Sequence, residues 1–389
     1  MKILTLTAAI LGLTSAKVFL DETFSDGEGW KDRWTPSSYR SDLGSLEVSP
    51  GKWFADEASS MGLRTTEDYR FYAVSTKIQP FSNKDKNLVI QFDVKNEQDI
   101  DCGGSYLKFF GEEFDPKTFN GDSEYNIMFG PDICGSKSLV HAIFHYKGQN
   151  HDLKKTVTAP TDTLSHTYTL IVKPDQTYEI LIDSESKVKG SLLVDWDFLP
   201  PQEIQDPKVS KPEDWVDEAE IENDLPLLIV DPAATKPEDW DDEMDGEWEA
   251  PMVANPEHKK IPNPLYKGEW VHPMVVNPDY KADPEIYVYQ FSHVGLDIWQ
   301  VKSGTIFDNI LITDDLQVAL DAREKSKAIH SKEQSAKNAF DDQKEAERIV
   351  REEKKTKEAD EQEILEALED VSQEAQEAQE ANLPAKDEL

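Results

Sequence analysis

Between Val18 and Leu199 the chain alternates short apolar runs with turn-forming clusters. Asn87–Val94, Leu139–Tyr146, Tyr168–Val172 and Tyr178–Ile182 are rich in β-branched and aromatic residues, with Gly, Asn, Asp and Pro between them. Several of these runs alternate apolar with polar positions, the pattern of a sheet with one buried face. Many short strands and few helical periods predict a mainly β fold, an antiparallel sandwich.

From Pro200 to Pro284 the pattern changes. This stretch holds 14 of the 22 prolines and four of the nine tryptophans. Proline at that density rules out a central sheet or a continuous helix. The segment is also repetitive. Lys211-Pro-Glu-Asp-Trp215 recurs as Lys236-Pro-Glu-Asp-Trp240, each after an Asp-Pro; Gly246-Glu-Trp248 recurs as Gly268-Glu-Trp270, each before an Asn-Pro. Two unlike repeats in series predict an extended hairpin in which the second pair returns against the first, each rung held by a small Trp, Pro and Tyr cluster. The β pattern resumes at Glu285–Tyr289 and Gly304–Ile312. These runs are predicted to complete the sandwich, so the arm over 200–284 is an insertion between 17–199 and 285–315. Residues 316–389 are rich in Ala, Glu, Lys and Gln, without Gly and with no Pro before Pro384. That composition predicts a helix. Its apolar positions are too sparse for a coiled coil, so it is expected to dock at its start and continue into solvent.

The two ends indicate a compartment. Lys2, a largely apolar run over 3–13 and small residues at Thr14 and Ala16 have the form of a secretory signal peptide, residues 1–16. The chain ends Lys386-Asp387-Glu388-Leu389, an address read by the retrieval receptor of the endoplasmic reticulum (ER). Together they predict a resident of the ER lumen. No other stretch approaches the ~20 apolar residues of a membrane span. In that oxidising lumen the two cysteines, Cys102 and Cys134, are expected to form one bridge, worth roughly 3–4 kcal/mol for a loop of this size. There is no C-x-x-C, which excludes thioredoxin-like chemistry. A net charge of −37 excludes nucleic acid as a partner and disfavours anionic membranes.

The repeats, together with Glu97-Gln-Asp-Ile-Asp-Cys-Gly-Gly104, Tyr125-Asn-Ile-Met-Phe-Gly-Pro-Asp-Ile-Cys134 and Leu296-Asp-Ile-Trp-Gln-Val-Lys-Ser-Gly-Thr-Ile-Phe-Asp-Asn309, resemble those of the calreticulin/calnexin chaperone family over residues 18–315. The retrieval signal and the lack of a membrane span place the resemblance in the family's soluble branch. It implies a legume-lectin-like jelly-roll sandwich with an inserted proline-rich arm. It also implies a monomeric, non-enzymatic chaperone that binds Ca2+ and monoglucosylated high-mannose N-glycans of new glycoproteins.

Carried over residue by residue, the resemblance places the carbohydrate site at Tyr106, Lys108, Tyr125, Asp132 and Asp297, with Met128 and Trp299 nearby in sequence. These types suit a sugar: carboxylates accept from hydroxyls, an ammonium donates to oxygens, and aromatic faces take C–H patches. The implied calcium site uses backbone oxygens at Thr23, Ser59 and Met61 with the Asp308 carboxylate, oxygen ligands fit for a hard cation. At the tip of the arm, Glu243, Asp245, Glu247 and Trp248 match the positions that dock an oxidoreductase of the protein disulfide isomerase family.

The chain departs from the family pattern in two places. The family commonly has three units of each repeat and this chain has two, which is consistent with loss of one rung from both sides. The tail is not a nearly pure acidic run: 317–389 carries 21 acidic and 12 basic residues, which weakens the case for bulk calcium storage. Two rival readings remain, a glycan-independent holdase or calcium buffer, and a glycoside hydrolase using Asp132 and Asp297 as a carboxylate pair. His141, His145 and His166 sit in strand-like runs and read as structural.

Overall fold

A computed structural model describes residues 17–241 and 243–381; the expected signal peptide and the retrieval signal lie outside them. The chain divides into two compact units, one of residues up to Phe198 with those from Asp283 onward, the other Leu199–Ala282.

The first unit is a sandwich of two antiparallel sheets. The seven-stranded sheet runs, in spatial order, Gln149–Asp152, Lys137–Tyr146, Ile127–Cys134, Cys102–Phe110, Gln290–Gln300, Arg70–Ser82 and Trp34–Pro36. The eight-stranded sheet has Leu88–Asn96 and Thr305–Thr313 at its centre, with Val18–Glu22 also paired to the latter. Apolar residues from the two sheets meet between them, as where Phe92 packs edge-on against Phe129 at 5.9 Å. Both rings are fully buried, each contributing about 2–3 kcal/mol. Cys102 and Cys134 are direct cross-strand partners and are disulfide-bonded.

Leu88–Asn96 is buried at every position, although its sequence alternates. Phe92 points into the sandwich, while Val89 faces the helix Leu316–His330 in a cluster with Ile171, Leu181, Leu311 and Ala319. Asp315 starts that helix, its carboxylate accepting from the Gln317 and Val318 N–H groups at 2.7 and 3.2 Å. The polar outward residues then find partners beneath it. Asp93 accepts from Ser326 at 2.9 Å, and Lys95 lies between Glu97 at 3.2 Å and Glu333 at 2.8 Å. The following helix, Glu333–Ala381, packs Phe340 against Trp53. Between 341 and 373 every residue is exposed.

One predicted strand is a turn. Glu285–Tyr289 is held by a Val288 N–H to Glu285 carbonyl bond, and Asn83 satisfies the Tyr287 carbonyl and the Tyr289 N–H. The side-chain amide replaces a ladder neighbour, so the β-like residues Ile286 and Tyr287 are buried without pairing in a sheet.

The second unit contains three short antiparallel ladders: Glu203–Gln205 with Met274–Val276, Glu220–Glu222 with Lys260–Pro262, and Leu228–Val230 with Met252–Ala254. Three paired residues per ladder supply few backbone bonds, and side chains add the rest. Asn255, Asn263 and Asn277 each donate across the hairpin, to the carbonyls of Pro226, Glu218 and Pro201. Each also accepts from the N–H two residues on, an Asx turn closed by the proline that follows it. The indoles of Trp215 and Trp240 donate to the carbonyls of Gly268 and Gly246, both at 2.9 Å. Hydrogen bonds therefore tie the rungs beside whatever the aromatic contacts add.

Candidate functional site

The loop after Phe110 covers part of the outer face of the seven-stranded sheet, burying Phe119 and Tyr125 with Phe110, Ala73 and Ile143, and strand register brings most of the candidate sugar residues to the part of that face beside it. Tyr106 pairs with Asp297, Lys108 with Met128, and Gly104 with Asp132, all across neighbouring strands. Side chains two apart share a face, so Tyr106, Lys108, Met128, Asp132, Asp297 and Trp299 all lie on it. Tyr106, Lys108, Tyr125, Met128 and Asp297 line one open recess of about 570 Å³, with the Gly121 loop at its rim.

Lys108 is the brace of this recess. Its buried ammonium lies 2.7 Å from Asp297, donates to the Gly121 carbonyl at 2.8 Å, and sits 5.0 Å from the centre of the Tyr125 ring. A buried lysine needs such partners, because an unpaired charge there costs several kcal/mol. Burial pushes the Tyr125 hydroxyl up to about 12, with the charges of Asp152 and Asp297 adding to it, so it stays protonated. Burial, then the charge of Asp132, also pushes Tyr106 upward, its hydroxyl facing the Asp132 carboxylate.

Gly104 makes that orientation possible. A Cβ at Gly104 would stand 2.3 Å from the Tyr106 ring, so the ring lies across a position where only glycine fits, towards the strand that carries Asp132. Asp132 also meets His141, whose Nε2 is 3.5 Å away. That hydrogen bond, against the cost of burial and aided by Tyr106, holds the Asp132 carboxyl below the usual carboxylate range. The sequence reading took His141 as structural, and Gly104 and the Gly121 carbonyl escaped it. A glycine two residues before a strand tyrosine was the one local signal, since it leaves room for the ring.

The candidate calcium residues also converge. The Glu22–Ile310 pair places Thr23 beside the Asp308–Asn309 stretch, and the Leu63–Phe307 pair places Gly62, next to Met61, opposite Asp308. Ser59 and Asp308 line one small cavity of about 30 Å³. The Thr305–Thr313 strand bulges between Asp308 and Leu311, with Asn309 at φ 50°, a left-handed conformation that asparagine tolerates. Burial, then the charge of Asp93, pushes the Asp308 carboxyl well above its ordinary range. Among the described residues no lysine or arginine ion-pairs with it, and its hydrogen-bond donors are the backbone and side-chain N–H groups of Asn309. A carboxylate crowded by negative charge among oxygen donors fits a hard cation. Among the described residues no three His, Cys, Asp or Glu side chains form a metal cluster.

At the hairpin tip, Glu243, Asp245 and Glu247 are exposed and Trp248 is half-buried. Asp241 shapes the turn, its carbonyl accepting from the Met244 and Asp245 N–H groups. Among the described residues no helix is long and apolar enough to cross a membrane.

A calreticulin family model matches residues 20–225 and 222–312. Calreticulins of Macaca fuscata fuscata and Homo sapiens are each 53% identical over 329 residues, covering 80% of this chain and 79% of the relative. The solved T. cruzi calreticulin globular domain superposes with a TM-score of 0.63 at 36% identity, over 84% of this chain and all of that one. With that sequence match and the sandwich it accompanies, the chain belongs to the calreticulin family, a family of lectin-type chaperones and not of enzymes.

Proposed function

We propose that this chain retains new glycoproteins in the ER lumen by binding the terminal glucose of monoglucosylated high-mannose N-glycans. The observation that carries this reading is the recess on the seven-stranded sheet. The Asp297 carboxylate, two protonated tyrosines and a braced ammonium surround a space of about 570 Å³, of the order of a small ligand pocket, and Asp132 lies on the same face beside Tyr106. Asp132 and Asp297 accept from sugar hydroxyls, Tyr106 and Tyr125 present ring faces to C–H patches, and Lys108 fixes Asp297 while turning its positive charge to the sugar oxygens. Replacing Tyr106 or Asp132 with Ala is expected to abolish binding of a glucosylated mannose oligosaccharide in calorimetry; unchanged affinity would overturn the assignment.

Calcium is assigned to Asp308 and the backbone oxygens of Thr23, Ser59 and Met61. The ion, when bound, supplies positive charge that compensates the buried carboxylate and ties three segments together. Calcium is expected to raise the melting temperature of the wild type and not of Asp308→Ala; equal shifts would remove the site. The exposed acidic tip, Glu243, Asp245 and Glu247 with Trp248, is assigned to a basic surface of a disulfide isomerase relative. Deleting 241–247 should end that association in a pull-down with the purified oxidoreductase, and persistent binding refutes it. The chain is read as a monomer held in the lumen by its retrieval receptor. Size-exclusion chromatography with light scattering tests the first of these, and secretion after removal of residues 386–389 tests the second.

A further inference from the structure

We infer that His141 is a positioning residue of the sugar site, acting as a protonated clamp that holds Asp132 in place and makes glycan affinity fall as pH rises. This rests on the sugar-site reading and deepens it. His141 lies on the Lys137–Tyr146 strand, on the same face as Asp132 of the adjacent strand, as the Gly130–His141 and Asp132–Leu139 pairs require. Its Nε2 is 3.5 Å from Asp132 and its Nδ1 is 3.7 Å from Asp152. The Tyr106 ring meets the imidazole edge-on at 6.2 Å.

Carboxylates near both ring nitrogens determine the charge state this arrangement prefers. A neutral imidazole has one N–H, so one carboxylate would face a lone pair; the imidazolium presents an N–H and a positive charge to each. The other groups facing the pair are the Tyr106 hydroxyl and Lys137, both of which favour the Asp132 anion. The hydrogen bond to Asp132 pulls His141 above its ordinary value of 6.5, against the cost of burial, and the charges of Asp132 and Asp152 add to it. A carboxylate has about four lone-pair sites, so Asp132 held by Tyr106 and His141 keeps two for sugar hydroxyls. Loss of the proton removes the positive charge that draws the two carboxylates to the ring and loosens the hold on Asp132.

The sign follows from the direction of the shift. The clamp is held while His141 is protonated and is lost as pH rises through its raised value, so affinity falls as pH rises through a range centred above 6.5. Calorimetric titration of the full chain with a glucosylated mannose oligosaccharide from pH 6 to 9 tests this. The wild type is expected to lose about fivefold in affinity over that range, the upper end for a partly exposed ion pair. His141→Gln is expected to bind weakly and equally at every pH. Asp152→Asn is expected to move the fall to lower pH, because it removes one of the charges that hold the proton. A wild-type profile flat with pH, or a His141→Gln profile as steep as the wild type's, would overturn the clamp while leaving the sugar site standing. No binding by the wild type at any pH would remove the sugar-site reading, and the clamp with it.

Discussion

The two sheets of the sandwich treat their outer faces in opposite ways. Both carry charged and polar residues in alternation with apolar ones. On the seven-stranded sheet the loop after Phe110 covers one part, while Tyr106 and Asp297 stay half-buried at an open recess and Asp132 and His141 stay half-buried beside it. On the eight-stranded sheet Gln91, Asp93 and Lys95 are 1%, 3% and 4% exposed, covered by the helix Leu316–His330 and the start of the next one. An alternating strand therefore does not say whether its polar face meets water, a ligand or a later part of the same chain. The difference lies in what those polar groups are worth. Covered ones must be paired, since burial multiplies the cost of a missing partner, while half-open ones keep capacity for a ligand.

The sharpest way to break this comparison is to remove one charge from the covered face. Lys95→Ala leaves Glu97 and Glu333 facing each other with no cation between them. A loss of about 3–5 kcal/mol of stability is expected in urea unfolding. A loss under about 1 kcal/mol would mean the helix lifts and water enters, and the two faces are then not so different. A smaller effect on stability, and a larger one on binding, is expected from Gly104→Ala on the open face. The added Cβ collides with the Tyr106 ring and turns its hydroxyl away from Asp132. The fold should lose about 1 kcal/mol, and affinity for the glucosylated oligosaccharide should drop about tenfold or more. Unchanged affinity would show that the ring does not need its place above Gly104.

The sandwich was legible because its strands carry both signals that betray a sheet, β-branched runs and turn clusters, and because Cys102 and Cys134 had no partner but each other. The covering of Leu88–Asn96 was not. Gln91, Asp93 and Lys95 look like solvent positions, and their partners Ser326 and Glu333 lie more than two hundred residues away in a segment that reads only as polar helix. Glu285–Tyr289 misled for a related reason: its apolar alternation reports burial, and Asn83 supplies the hydrogen bonds a strand would have. Around the recess, Tyr106 and Lys108 could be placed on one face by counting. His141 could not be tied to Asp132, because that contact depends on the register of a hairpin whose turn, Gly135-Ser136, gives no number for it. Asp308 was least legible of all, with its surroundings assembled from three distant segments and a bulge.

The smallest expected effect sharpens the comparison from the other side. If covering is what stabilises the eight-stranded sheet, only the covering part of the C-terminal helices should matter. Phe340 on Trp53 and Lys337 over the same indole, 5.4 Å from its centre, are the last contacts with the sandwich, and the residues from 341 to 373 are exposed. Their carboxylates and ammoniums pair along the helix, as Arg348 does with Glu345 and Glu352 at 2.6 and 2.7 Å, and exposed pairs of that kind contribute little. Removing residues 352–389 should therefore change the unfolding free energy of the sandwich by less than about 0.5 kcal/mol. Cutting instead at Ser331 removes Glu333 and Phe340 and should approach the cost of Lys95→Ala, because Lys95 loses one partner and Trp53 is laid bare. Two truncations of one helix, measured by the same urea titration, thus separate covering from mere presence. Equal losses from both would show that the exposed helix stabilises the sheet through something other than contact.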